Sequence, residues 1–287
     1  MTPNLDTKLS RSRARVFLAL IADTFQEARA RWLFWGLFGL STLLICIFLF
    51  VMRIDLVAGA VSFMGIESTS RRIWDIRKFV NVSYSWVSVV LYTWGTFLAI
   101  FASSGLIPSV LEPGRISLLL SKPMTRTTLL MGRYMGNVLI VGANDLYLIG
   151  SIWIIIGLKT GIWEPRFLLA IPISLFIFAV LLCVVVLLGV ISESAALSVM
   201  VSVSLMLISS ILAQHQIVVK LLDSEWSRNL WLTLYWIVPK FFDLGAAMRQ
   251  IILFDREANW IVPVWTSSIF GIVVLWRALY LFRRRDY

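Results

Sequence analysis

Six long apolar runs constrain this 287-residue sequence more than any other feature. Because an α-helix rises about 1.5 Å per residue and the hydrocarbon layer is about 30 Å thick, roughly 20 apolar residues mark a spanning helix. The chain is 59% hydrophobic and 15% charged, whereas soluble domains are about 45–50% apolar and about 25% charged. We therefore predict an all-α integral membrane protein, one transmembrane domain over 1–287, with spans at 32–52, 84–107, 134–158, 167–191, 195–213 and 260–282.

The charges outside these runs predict the orientation of the chain. An even number of spans puts both termini on one side, and an excess of Lys and Arg marks the cytoplasmic side. Residues 1–31 are rich in basic residues, and Arg283, Arg284 and Arg285 directly follow the last run. We expect both termini to be cytoplasmic. Since the basic residues flank apolar runs, the net charge of +10 indicates membrane orientation and no nucleic-acid partner.

The sequence argues against an enzyme. A phosphate-binding loop needs Gly-Lys-Ser/Thr, and no lysine of this chain follows a glycine, so any ATP hydrolysis must occur in another polypeptide. Intramembrane catalysis would need clustered ionisable residues, yet His215 is the only histidine. Cys46 and Cys183 lie in apolar runs, where a thiol packs as a small hydrophobe. We expect no catalytic residue, no metal site and no cofactor in this chain.

Two segments between the spans carry amphipathic patterns. In residues 13–31 the apolar side chains follow helical spacing, which predicts an interfacial elbow helix; they are Phe17, Leu20, Ile21, Thr24, Phe25 and Ala28. This helix is either a membrane anchor or a contact for a partner. The segment 214–259 is rich in Trp and Tyr but lacks a run long enough to cross, which predicts short amphipathic or re-entrant helices, broken near Pro239, on the outer side.

The loop 108–133 has the features of a stiff corner. Pro113 and Gly114 interrupt the chain, the run after them can form a short coupling helix, and Pro123 favours an extended Lys122. Thr125 is a candidate N-cap for the helix that enters the third span. The loop is either a rigid projection that binds in a groove of a cytoplasmic partner or an ordinary interfacial hairpin.

The same loop resembles that of ABC-2 type permeases, most closely the six-span bacterial permeases of multicopper-enzyme or nitrous-oxide-reductase maturation. The shared pattern is an acidic residue, any residue, Gly, an apolar run, then Ser-Lys-Pro and an Arg. It is carried by Glu112, Gly114, Ser121, Lys122, Pro123 and Arg126. Pro113 and Arg115 depart from it. The close match covers about 25 residues, and the arrangement of spans extends a weaker resemblance over the chain.

The resemblance implies a permease subunit of the bacterial inner membrane that couples ATP hydrolysis to export of a substrate. ATP and Mg²⁺ would bind a separate nucleotide-binding subunit, which contacts the elbow helix and the six loop residues. A second permease copy, identical or related, membrane lipid, and a periplasmic or accessory membrane protein are the other implied partners. The alternative function is a scaffold or mechanotransmission subunit that translocates nothing.

The third span carries two heptad-spaced strips. Small residues at Gly136, Ala143, Gly150 and Gly157 permit close helix contact. A polar strip runs beside them and comprises Asn137, Asn144, Asp145 and Ser151. An ionisable residue near mid-membrane costs about 2.5–3.5 kcal/mol unless it is paired or wetted, so Asp145 should face protein or water. The strip either lines a translocation path or dimer seam, or holds the bundle together by interhelical hydrogen bonds.

Overall fold

The computed structural model describes residues 5–55, 60–63, 76–105, 108–111, 125–214, 218, 224–254 and 260–284. Six helices among them are long and apolar enough to cross a membrane: Trp32–Phe50, Val80–Ser104, Arg126–Thr160, Pro165–Ser192, Ala195–Leu212 and Ile261–Arg284, called here the first to sixth spans. The predicted all-α, multi-pass membrane fold is confirmed. The third span begins at 126, eight residues before the predicted 134, and the other spans differ from prediction by at most four residues at either end.

Irregular turns interrupt some of these helices. The first span is α-helical over Trp32–Cys46 and continues as a π-helical turn, Ile47–Val51. The second comprises helices Ile76–Val90 and Thr96–Ser104 joined by the π-helical turn Leu91–Gly95. The fourth starts with a 3-10 turn, Pro165–Leu169, before the helix Ala170–Ser192. By contrast, the 35-residue helix Arg126–Thr160 is continuous.

The remaining elements lie between the spans. The elbow helix, Leu5–Ala30, is longer than the predicted 13–31 at its N-terminal end. Strands Met52–Asp55 and Ala60–Phe63 pair antiparallel after the first span, a hairpin that the sequence did not predict. A short helix, Pro108–Leu111, follows the second span. Two distal helices, Glu225–Ile237 and Phe241–Phe254, precede the sixth span and confirm the predicted short helices broken near Pro239.

The fourth span is the centre of the bundle. It is apolar on all sides, which is the pattern of a helix surrounded by other helices, and it contacts the third, fifth and sixth spans and the helix Thr96–Ser104. Its fully buried side chains include Phe178, Leu181 and Val185. The first and sixth spans are the most exposed, and their outward side chains include Trp35 and Trp276. These two spans present most of the surface available to lipid.

Hydrogen bonds fix which span ends lie together. Arg31, before the first span, donates to the Gly105 carbonyl after the second (2.8 Å). At the opposite side, Lys159 near the end of the third span donates to the Phe48 carbonyl (3.1 Å) and the Leu49 carbonyl near the end of the first. We call the side with Arg31 the terminal face and the side with Lys159 the distal face.

Candidate coupling site on the terminal face

The elbow helix packs against the beginning of the third span. Leu20, Thr24 and Ala28 are one turn apart on one helix face and are at most 4% exposed. The predicted apolar stripe is therefore divided: these three side chains are buried in protein, while Phe25 remains 43% exposed. The elbow is thus docked on the protein along one side and leaves part of its apolar surface for the interface with lipid.

Two glycines of the third span make this close docking possible. A Cβ atom at Gly132 would lie 2.8 Å from Leu20 Cβ, and a Cβ atom at Gly136 would lie 2.7 Å from Thr24 Cβ. Both distances are too short for two carbon atoms, so only glycine allows the elbow backbone to approach this near. The remaining small residues of the predicted seam differ: Ala143 is exposed and Gly150 has open space around its Cα.

Gly136→Ala is expected to destabilise the protein by about 1–3 kcal/mol, because the added methyl group overpacks the contact with Thr24. Gly150→Ala is the matched control: the same change, in the same helix, meets nothing within 4 Å and should be neutral or stabilise by up to about 1 kcal/mol. Thermal unfolding of the detergent-purified variants measures both. Equal melting temperatures for the two variants would contradict the docking of the elbow at Gly136.

A buried arginine joins the elbow to the third span. Arg133 is 1% exposed. Its Nη1 donates to Glu27 Oε2 (2.7 Å), and its Nη2 donates to the Asp23 carboxylate. Since two carboxylates bind the two ends of one guanidinium, both hydrogen bonds are charge-assisted and directional. Arg133 therefore fixes both the position and the rotation of the elbow helix.

Glu27 also connects the elbow to the loop and, through Arg31, to the end of the second span. Glu27 Oε1 accepts a hydrogen bond from Ser109 Oγ (2.7 Å) and from Arg31 Nη2 (3.1 Å). Arg31 also donates to the Gly105 carbonyl, and a Cβ atom at Gly105 would lie 2.2 Å from Arg31 Nη1, so glycine leaves the space for it. We call Asp23, Glu27, Arg31, Ser109 and Arg133 the terminal-face cluster.

The cluster contains two carboxylates and two guanidiniums, so its charges balance. Burying an ion pair is costly unless hydrogen bonds satisfy both partners. Glu27 is satisfied by three donors, while Arg133 Nε has no hydrogen-bond partner among the described residues. The arrangement has no nucleophile or proton donor poised against a cleft, and it is suited to holding three chain segments in one rigid unit.

The sequence placed its candidate coupling residues in the loop that follows this cluster. Thr125, the predicted N-cap, accepts a hydrogen bond from the Thr128 N–H (3.2 Å), and this prediction is confirmed. Arg126 is the first helical residue of the third span and is half-buried. The other predicted coupling residues lie outside the described residues; they are Glu112, Gly114, Ser121, Lys122 and Pro123. Two residues of the terminal-face cluster flank these positions in the sequence: Ser109 precedes them and Arg133 follows them.

Sequence reasoning missed the cluster itself. Arg133 falls in the predicted 108–133 loop, because the third span is predicted to begin at 134. Asp23 and Glu27 lie outside the apolar stripe that the sequence predicts for the elbow. Glu27 and Arg31, four residues apart on the same chain, were a local signal of an ion pair. The flanking Gly132 and Gly136 were a signal that another helix approaches Arg133.

The polar strip of the third span lies between helices of the same chain. Asn144 Oδ1 is 3.2 Å from Ser41 Oγ of the first span. Asp145 is 4% exposed and lies near Ser174 of the fourth span, and its Oδ2 has no hydrogen-bond partner among the described residues. Asn137 donates to the Arg133 carbonyl of its own helix (2.9 Å), and Ser151 is half-buried. The contacts of Asn144 and Asp145 are those expected of interhelical packing, and they leave the path and dimer-seam interpretations as predictions.

Neither protein-family models nor curated proteins give a match to this chain. The part of the chain that the structure describes contains no group of three or more His, Cys, Asp or Glu side chains that could hold a metal ion.

Proposed function

We propose that this chain is the transmembrane subunit of an ABC-2 type transporter, driven by ATP hydrolysis in a separate nucleotide-binding subunit. The proposed complex contains two permease copies in a bacterial inner membrane, with both termini and the 108–133 loop on the cytoplasmic side. The proposal rests on six membrane-length helices together with the resemblance of the loop sequence to such permeases.

One structural observation carries the coupling part of the proposal. The terminal-face cluster connects the elbow helix with Ser109, at the start of the 108–133 loop, and Arg133, at its end. A subunit that pressed on the loop or on the elbow would therefore displace the third span directly. Force transmission needs such a stiff connection, because a mobile linker would absorb the movement.

Copurification gives the first test of the proposal. A tagged full-length chain, expressed in its native host, is expected to retain a nucleotide-binding subunit through detergent purification, with ATP turnover that the permease alone lacks. Reconstitution in liposomes then separates transport from mechanotransmission, since only a transporter will show substrate-stimulated ATP turnover linked to movement of that substrate. A purified chain that hydrolyses ATP alone would contradict the proposal.

Substitutions in the loop test the proposed contact. Glu112→Ala and Arg126→Glu are each expected to reduce permease-stimulated ATP turnover at least tenfold while the protein remains folded and in the membrane. Arg228→Glu, a charge reversal at an exposed residue near the distal face, is the matched control for Arg126→Glu and should leave turnover unchanged. If both loop variants keep wild-type turnover, the loop is an ordinary hairpin.

A further inference from the structure

A buried lysine without a carboxylate partner lies between the two distal helices. Lys240 is 3% exposed, and its Nζ has no hydrogen-bond partner among the described residues. Two aromatic rings cover the ammonium group, with centroids 4.2 Å (Tyr235) and 3.8 Å (Trp236) from Nζ. Such cation–π contacts provide about 0.5–2 kcal/mol, which is less than a buried ammonium gains from an anionic oxygen.

The backbone places this lysine at the boundary of the membrane. The Lys240 N–H donates to Ser267 Oγ of the sixth span (3.0 Å), and the Phe242 N–H donates to Ser209 Oγ of the fifth (3.3 Å). Ser267 is six residues inside the sixth span, so it lies about 9 Å below the start of that helix at Ile261. The backbone at Lys240 therefore lies within about two helical turns of the distal ends of both spans, a depth from which a lysine side chain can reach lipid headgroups.

A carboxylate that lines the same cleft already accepts a hydrogen bond. Asp243 Oδ2 accepts a hydrogen bond from the Tyr235 hydroxyl (2.9 Å). Burial lowers the pKa of Lys240, and the charge of Asp243 opposes that shift only in part. Lys240 and Asp243 also line one cleft with Ser209 and Leu212 of the fifth span. The cleft thus holds a cation that its own residues do not neutralise with a direct ion pair.

We propose that this cleft binds the phosphate group of a phospholipid from the leaflet at the distal face, with Lys240 as the group that contacts the phosphate. The helix Phe241–Phe254 begins here, and its positive end adds to the attraction. The neighbouring helix indicates that the phosphate belongs to a lipid. No residue of Glu225–Ile237 is buried, and this helix exposes Trp226, Leu230 and Trp236, which are side chains typical of the headgroup region.

The aromatic cover is compatible with this role. Trp236 is 58% exposed, so its ring can rotate away from Lys240 without disturbing the packed core. A phosphate oxygen then replaces the ring as the partner of Nζ, while the Tyr235–Asp243 hydrogen bond keeps the helix in place. The acyl chains of that lipid would extend along the fifth span, where Leu207, Ile208 and Ile211 are exposed.

Lipid binding by variants tests the site. We expect native mass spectrometry of the detergent-purified full chain to show a retained phosphatidylglycerol in wild type and Lys240→Arg, with an affinity at least tenfold lower in Lys240→Gln. Arg228→Gln removes the same charge from an exposed position on the neighbouring helix and should bind like wild type. Wild-type affinity in Lys240→Gln would overturn the proposal.

A second comparison identifies the source of the phosphate. It also tests the proposal if Lys240→Gln does not fold. Phosphatidylglycerol should raise the melting temperature of wild type, whereas diacylglycerol and inorganic phosphate at the same concentration should not. An equal rise with inorganic phosphate would show a site for free anions and overturn the assignment to lipid. Trp236→Leu removes the cover and keeps Lys240, so it should bind phosphatidylglycerol at least as tightly as wild type; a loss of binding there would also contradict the proposal.

Discussion

Replacing Arg133 by methionine is expected to lower the free energy of unfolding by about 3–5 kcal/mol, the cost of removing one partner from a buried ion pair. Methionine fills a similar volume but leaves Glu27, which is 12% exposed, beside an apolar side chain. Because Arg133 binds Asp23 and Glu27 of the elbow, that helix should also be released from the third span. Thermal unfolding in detergent and protease cleavage within Leu5–Ala30 measure the two effects.

Two further variants separate charge from packing at Arg133. Arg31→Met removes a cation from the same cluster, but this side chain is 29% exposed, so the loss should be about 1 kcal/mol or less. Adding Asp23→Asn and Glu27→Gln to Arg133→Met removes the uncompensated charges, and we expect it to restore more than half of the lost stability. If this triple variant is as unstable as Arg133→Met alone, the loss of packing and hydrogen bonds, and not the uncompensated charge, explains the loss of stability.

Asp145→Lys should have the second large effect, a destabilisation of about 3 kcal/mol or more together with poor membrane insertion. Asp145 is 4% exposed between the third and fourth spans, and a lysine there must bury either an ammonium group or an unpartnered amine near mid-membrane. Asp145→Asn is the matched control, because the amide has nearly the same size as the carboxyl group and carries no charge. It should unfold within about 1 kcal/mol of wild type.

The pair of Asp145 variants also bears on what the polar strip does. If hydrogen bonds between spans are its role, Asp145→Asn will support the same ATP turnover as wild type in the proposed complex. Loss of turnover in a stable Asp145→Asn protein would instead favour the translocation path or dimer seam. Membrane-fraction yield and unfolding in detergent provide the stability comparison that this conclusion requires.

The features that sequence predicted well are those set by short-range chemistry. The spans follow from length and apolar content, and the end of the distal helix before Pro239 follows from the missing N–H of proline. Thr125 caps the third span because its hydroxyl satisfies an N–H that no carbonyl reaches. Each of these predictions depends on residues close together in the chain.

The features that sequence missed depend on which segments meet in space. Glu27 and Arg133 are 106 residues apart, and nothing local indicates that they form an ion pair. The heptad of small residues illustrates a second cause. Because 3.6 residues make one turn, a seven-residue repeat drifts about 20° per heptad, or about 60° from Gly136 to Gly157. One sequence stripe therefore contacts the elbow at Gly136, faces open space at Gly150 and meets the Trp163 ring at Gly157.

The continuity of the third span gives it a mechanical property that its neighbours lack. Its 35 residues make a helix about 52 Å long, which exceeds the hydrocarbon thickness by about 20 Å. A tilt of roughly 5° about one end would move the other end by about 4.5 Å. The second span has a π-helical turn at which it can bend, whereas the third is unbroken and, in the proposed transporter, would act as a lever held near its terminal-face end by Arg133.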